Sequence, residues 1–169
     1  PAFSIYGHDV QDIEDNSIPE DVKEKIIRFA KGAIAVGEMR GKSYINLGSV
    51  SMGIMGAFCD PAFFQKYLGI RPEWVDMSEV SRRVKLGIYD HEEYEKALKW
   101  VKEHCKEGFD NNAPEVQHSR QQKDEEWEFV VKMTLICRDI FHGNPKLYDM
   151  GWYEESLGRN GLLGGFQGQ

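Results

Sequence analysis

A chain of 169 residues can bury the hydrophobic core of one domain and is short for two domains. Its composition, 41% apolar and 29% charged, excludes a largely disordered protein. A formal net charge of −7 argues against a nucleic-acid-binding surface, because such a surface needs clustered Lys and Arg side chains to neutralise phosphates.

The cysteines and the apolar runs indicate a cytoplasmic protein that binds no membrane. Cys59, Cys105 and Cys137 are odd in number and far apart, so a disulfide framework is not expected. No apolar run approaches the roughly 20 residues of a membrane-spanning helix, and no signal peptide is recognisable. The chain starts at Pro1 and continues with a short apolar run, residues 2–6, that resembles the end of a strand. We therefore expect a soluble piece of a larger protein.

The first predicted helix follows an acidic loop at residues 7–16. It begins at Ser17, because Glu20 three residues later completes a capping-box pattern. Gly41 is expected just past its end. Apolar residues recur every three or four positions along it and predict one apolar face: Val22, Ile26, Phe29, Ala33 and Val36.

The segment after this helix is the first candidate binding site. Residues 43–47 predict a strand, and the small-residue loop 48–53 follows it. Ligands of open α/β sheets bind beyond the carboxyl ends of the strands, so this loop is well placed. Residues 37–43 resemble a phosphate-binding loop, but they are one residue short. That motif also needs a strand followed by a helix, whereas here a helix precedes a strand.

The rest of the chain predicts mainly helices. A short helix starts at Asp60, a strand covers residues 74–77, Ser78 caps a helix, another helix runs from Asp90 to near Gly108, and the longest runs from about His118 to His142. The predicted buried stripe of the longest helix is Trp127, Val130, Val131, Thr134, Cys137 and Phe141. Strands so far apart need crossover connections. The fold class is therefore α/β, a three-layer open parallel sheet flanked by helices, of the Rossmann or flavodoxin-like kind.

The C-terminal tail, residues 161–169, is rich in glycine and superficially resembles a dinucleotide-binding loop. The strand–turn–helix frame and the downstream acidic residue of that motif are absent, so we expect glycines that let the backbone pack closely or approach a ligand. The five histidines and the acidic residues 9–15 lack the spacing of zinc or calcium sites.

Three residues are candidate ligand contacts: Ser51, Met52 and Gln167. Spacing alone favours a core role for Met52 and a surface role for Gln167. Ser51 lacks the G-x-S-x-G context of a nucleophile, so a polar contact to a ligand hydroxyl is the better interpretation.

Several strings of this sequence are similar to L-fucose isomerase. They are IYGHDVQD at 5–12, MRGKSY at 39–44, GSVSMGI at 48–54, GNP at 143–145, ESLG at 155–158 and GFQGQ at 165–169. The resemblance covers the whole chain and implies the end of the first domain and most of the middle domain of a longer enzyme. Residues 1–17 would be an inter-domain lead-in and residues 18–169 the α/β middle domain, with helix 18–40 a candidate to pack on the preceding domain. Residues 161–164 depart from the alanine-rich form of the family.

The resemblance implies an aldose–ketose isomerase that interconverts L-fucose and L-fuculose, and D-arabinose and D-ribulose, with Mn²⁺ in a homohexamer. In the family, the metal chelates two substrate oxygens and two carboxylates move a proton through an ene-diol. The metal ligands and these carboxylates lie in motifs beyond Gln169, so this chain is expected to hold no catalytic residue and no metal ligand.

Within the chain, the resemblance places Met52 and Gln167 in the wall of the sugar pocket, and Ser51 is added as a neighbour. Two alternatives stay open. One is a stand-alone flavodoxin-like module that binds a sugar or a phosphate. The other is a purely structural oligomerisation domain.

Overall fold

The computed structural model describes residues 2–7, 12–48 and 60–167. In chain order the elements are α1 (Glu20–Met39), β1 (Ser43–Leu47), α2 (Pro61–Phe63) with a π-helical turn (Phe64–Leu68), β2 (Arg71–Val75), α3 (Met77–Leu86), α4 (His91–His104), a 3₁₀ turn (Pro114–Val116), α5 (Arg120–His142), α6 (Pro145–Asp149) and β3 (Gly161–Phe166). None of the helices in these ranges is long and apolar enough to span a bilayer.

The three strands form one parallel sheet in the order β2-β1-β3. In the register of the sheet, Leu47 of the central strand lies opposite Val75 of β2 and Phe166 of β3. Each connection is a crossover that contains helices, as parallel pairing requires. The predicted α/β class with an open parallel sheet is therefore confirmed, as is the predicted strand at residues 43–47.

The core lies between one face of the sheet and helices α3, α4 and α5. Ile45 and Leu47 supply the sheet side of this core. Because side chains alternate along a strand, Asn46 lies on the opposite face. The buried apolar residues that complete the cluster are Val75, Val80, Tyr89, Tyr94, Val131, Leu135, Ile136 and Ile140.

The glycine-rich tail forms strand β3, and its glycines allow close packing. A Cβ added at Gly164 would lie 2.1 Å from the Ile45 carbonyl oxygen and 2.6 Å from Phe141 Cζ. A Cβ added at Gly161 would lie 2.8 Å from Phe141 Cδ1. The close-packing interpretation of the tail is thus confirmed, and the departure from the alanine-rich form is compatible with a strand.

The first helix differs from its prediction at its start. Its N-cap is Pro19, and the expected side-chain cap from Ser17 is not formed. The Ser17 N–H instead donates to Asp15 Oδ1 at 2.8 Å, because an Asx-type turn competes with the capping box. The helix ends as predicted before Gly41, which has a φ of +77°. Residues 2–6, expected to resemble a strand end, form no strand, and Lys25 Nζ donates to the Tyr6 carbonyl at 2.9 Å.

Three further boundaries differ from the predictions. Strand β2 covers residues 71–75 rather than 74–77. Pro72 is tolerated because β2 lies at the edge of the sheet that the described residues form. Asp76, not Ser78, caps α3. Helix α4 ends at His104, before Gly108.

The predicted buried stripe of α5 is confirmed in part: Val131 is buried, and Cys137 and Phe141 are partly buried against the core. The buried residues are Val131, Leu135, Ile136, Asp139 and Ile140, whereas Val130 is 44% exposed. The side of the stripe that contains Asp139 was not predicted because Asp139 is charged, yet it is buried and paired with Arg138 and with the Asn144 amide.

Candidate functional site at the carboxyl edge of the sheet

The carboxyl ends of the three parallel strands meet at one edge of the sheet, and backbone hydrogen bonds tie the following residues together. The Gly48 N–H donates to the Val75 carbonyl at 2.8 Å, and the Gln167 N–H donates to the Leu47 carbonyl at 2.8 Å. Gly48 and Gln167 are therefore fixed as neighbours. This edge is where ligands of open α/β sheets bind.

One of the three predicted contact residues is placed by the structure at this edge. Gln167 follows β3 directly and is half-buried. Ser51 and Met52 lie outside the described residues, so their role stays a prediction. Gly48, three positions before Ser51 in the sequence, is at the edge beside Gln167.

Any residue other than glycine at position 48 would destabilise this conformation. The Gly48 φ of +114° is in the region that L side chains rarely adopt. A Cβ added there would lie 3.1 Å from Gln167 Cβ and 3.8 Å from Met77 Cγ. Because Gly48 has no side chain, the Gln167 side chain can occupy this space.

Asn46 also belongs to the edge and was missed in the sequence. It is 4% exposed, and its Nδ2 donates to Gln167 Oε1 at 3.5 Å. The available signal was an amide near the end of the apolar strand, because Asn is depleted in strands and a buried amide needs a partner.

Asp76 is the carboxylate that follows β2 at the same edge, and it caps α3. Its Oδ1 accepts from the Ser78 N–H at 2.7 Å. Hydrogen bonding from Ser78 lowers the pKa of the Asp76 carboxyl, so the group stays ionised and engaged at the helix N-terminus. An ionised capping carboxylate is poorly suited to serve as a general acid near neutral pH.

The most heavily bonded carboxylate of the sheet, Glu73, lies near the opposite edge. It accepts from Ser43 Oγ at 2.8 Å, from Arg71 Nε at 2.9 Å and from Arg159 at 3.0 Å. Burial opposes ionisation of Glu73, but these hydrogen bonds outweigh it and lower its pKa. Ser43 and Arg71 begin their strands, so this cluster joins the amino ends of the strands rather than their carboxyl ends.

The described residues do not fit a metal centre. In residues 2–7, 12–48 and 60–167, no three His, Cys, Asp or Glu side chains come together in a way that could hold a metal ion.

A surface cavity of about 500 Å³ lies between the α4–α5 connection and α5, lined in part by Phe109 and Trp127. Its lining contains no residue of the carboxyl edge.

Comparison with known proteins gives two family matches that together cover the chain. A family model described as "L-fucose isomerase, first N-terminal domain" matches residues 1–41, and one described as "L-fucose isomerase, second N-terminal domain" matches residues 42–169. The two matches meet at the turn between α1 and β1.

Curated relatives carry the same name. An L-fucose isomerase of Bacteroides thetaiotaomicron is 60% identical over 172 residues, one of Phocaeicola vulgatus 59% over 172 residues, and one of Streptococcus pneumoniae 57% over 169 residues. Each comparison covers 100% of this chain and 29% of the relative. The chain thus spans less than a third of the length of these relatives.

Proposed function

The chain belongs to the L-fucose isomerase family, and we propose that it supplies one wall of the sugar pocket and part of the assembly surface of such an isomerase. The observation that carries the proposal is the position of Gln167, held beside Gly48 at the carboxyl edge of the sheet. Its amide can donate to or accept from a sugar hydroxyl. Met52 would add an apolar contact and Ser51 a polar one.

The proposed reaction is the aldose–ketose isomerisation of L-fucose to L-fuculose, and of D-arabinose to D-ribulose. Mn²⁺, the metal expected from the resemblance, would supply Lewis-acid polarisation of two substrate oxygens. The described residues offer no ligand set for it, so no step is assigned to them through the metal. Their part is to bind and orient the sugar.

The exposed apolar surface supports a role in a larger, oligomeric protein. No residue of α1 is buried, and Ile26, Phe29 and Val36 are 44%, 49% and 55% exposed. Because residues 1–41 match the first-domain model, we propose that this face of α1 packs against the rest of that first domain. A hexameric, cytoplasmic assembly is part of the proposal. The division into a lead-in at residues 1–17 and a middle domain at residues 18–169 stays a prediction.

Substitution of Gln167 in the full-length protein tests the pocket assignment. Gln167→Ala should raise KM for L-fucose about tenfold with little change in kcat, because one hydrogen bond made alike in the ground and transition states is lost. Gln121→Ala is the matched control, since Gln121 is exposed on α5 and its amide pairs with Glu125. Unchanged KM and kcat for Gln167→Ala would favour the purely structural alternative.

Calorimetry on the isolated 169 residues separates the proposal from a stand-alone module. With the metal and acid–base groups supplied elsewhere, the isolated chain should bind L-fucose and phosphate weakly and should not convert fucose to fuculose. Measurable affinity would support the stand-alone sugar- or phosphate-binding module. Turnover of fucose by the isolated chain would contradict the division of roles proposed here.

A further inference from the structure

We propose that Asn46 is a positioning residue, which orients the Gln167 amide for sugar binding. Its Nδ2 holds Gln167 Oε1, so that the amide offers its Nε2 protons, rather than its oxygen, to a sugar hydroxyl. The inference rests on the proposed function, because it assumes that Gln167 contacts the sugar.

The first support is the burial of Asn46. With 4% of its surface exposed, this amide must have a hydrogen-bond partner, because burying an unpaired amide is costly. Its bond to Gln167 Oε1 spans 121 positions of the chain and joins the central strand to the end of β3. The Nδ2 group is a donor and the Gln167 Oε1 atom that it faces is an acceptor, so the two amides are chemically matched.

The second support is the shape of the sheet face around this bond. Gly165 lies opposite Asn46 in the register, two positions before Gln167 and therefore on the same face. A Cβ added at Gly165 meets no described atom within 4 Å. Among the described residues, the sheet face beside the Asn46–Gln167 bond is therefore open at this position.

The third support is that the backbone of Gln167, from which the side chain extends, is held in place. Its N–H donates to the Leu47 carbonyl at 2.8 Å, and its Cβ lies where a side chain at Gly48 would clash. With the backbone fixed, the remaining freedom is in the side-chain torsions, which the bond to Asn46 restricts.

The test is a double-substitution cycle in the full-length isomerase. Asn46→Leu keeps the approximate shape and removes both polar atoms, and Asn46→Asp replaces the donor with an acceptor. Each is made alone and with Gln167→Ala, and KM and kcat for L-fucose are measured. Tyr44→Phe is the matched control, because Tyr44 lies two positions before Asn46 on the same face and its ring packs against Phe64. Thermal unfolding is recorded for every variant.

The expected result is a KM raised about tenfold by either Asn46 substitution with kcat changed less than twofold. In the Gln167→Ala background the same substitutions should change KM less than twofold, since a residue that acts through Gln167 has no effect without it. A merely structural role would add to the Gln167→Ala effect instead. If Asn46→Leu does not fold, the comparison is made with Asn46→Asp.

Two outcomes would overturn the inference, and they are distinguishable. If Gln167→Ala raises KM but the Asn46 substitutions do not, or raise it equally in both backgrounds, Asn46 is not a positioning residue and the pocket assignment stands. If Gln167→Ala leaves KM unchanged, the pocket assignment fails and the role of Asn46 fails with it.

Discussion

Substitution of Gly164 tests how closely β3 and β1 approach each other. A Cβ at this position would lie 2.1 Å from the carbonyl oxygen of Ile45, on the central strand, and 2.6 Å from Phe141 Cζ. The Phe141 ring can rotate away, but the carbonyl cannot move without disturbing the pairing of β1 with β3. The Gly164→Ala substitution should therefore lower the free energy of unfolding by about 3 kcal/mol, at the upper end of typical overpacking costs.

The neighbouring glycine of the same strand is the matched control. A Cβ at Gly165 meets no described atom within 4 Å. Gly165→Ala should therefore leave the free energy of unfolding unchanged or raise it by up to about 1 kcal/mol, because alanine lowers the conformational entropy of the unfolded chain. Thermal unfolding of the isolated chain, followed by circular dichroism, should show a Tm lowered by about 6 to 12 °C for Gly164→Ala. Equal effects at the two positions, or none at Gly164, would refute the close approach of the strands.

Two further predictions concern titratable groups. The pKa of Glu73 is lowered in the folded protein from its ordinary value of 4.5, so its contribution to stability is present above that pH and is lost as the pH falls through the folded-state pKa. Glu73→Gln should lower stability at pH 7, and urea unfolding should show the difference from the parent chain shrinking at acidic pH; a constant difference would contradict this. Burial raises the pKa of the Cys137 thiol to about 11, whereas Cys105 is exposed. An alkylating reagent at pH 8 should label Cys105 before Cys137 in the isolated chain, and peptide mapping that finds equal rates would contradict the burial.

Local sequence signals predicted the elements whose ends are determined by their own residues. Strand β1 occurs at residues 43–47 as expected, and Asp90 caps α4 through its bonds to the N–H groups of Glu92 and Glu93. The parallel sheet followed from the distance between strands in the sequence, because only crossovers can join them.

Features that depend on distant partners were not predictable in the same way. Part of the buried stripe of α5 was missed because it contains the charged Asp139, whose burial is compensated by Asn144 Nδ2 at 3.1 Å from Asp139 Oδ2. Asn46 was missed because its partner is 121 positions away in the chain. Gln167 was predicted as a contact residue through a resemblance rather than through spacing, since an amide after a glycine-rich stretch is more often a surface residue.

The packing of one sheet face determines the position of the candidate site on the other. Gly164 lies opposite Ile45, and this register brings Gln167 alongside Gly48. Near the start of β3, Ser43 pairs with Gly161 and Tyr44 with Leu163, so Leu162 is an extra residue that forms a bulge. Because side chains alternate along a strand, a shift of one residue would move Gln167 to the core face, away from Asn46. A shift that placed Leu163 opposite Ile45 would drive a side chain into the central strand, so the close approach at Gly164 opposes a shift in that direction. Glycines that resembled a cofactor-binding loop in the sequence thus allow β3 to pack closely on β1 in the register on which the Asn46–Gln167 bond depends.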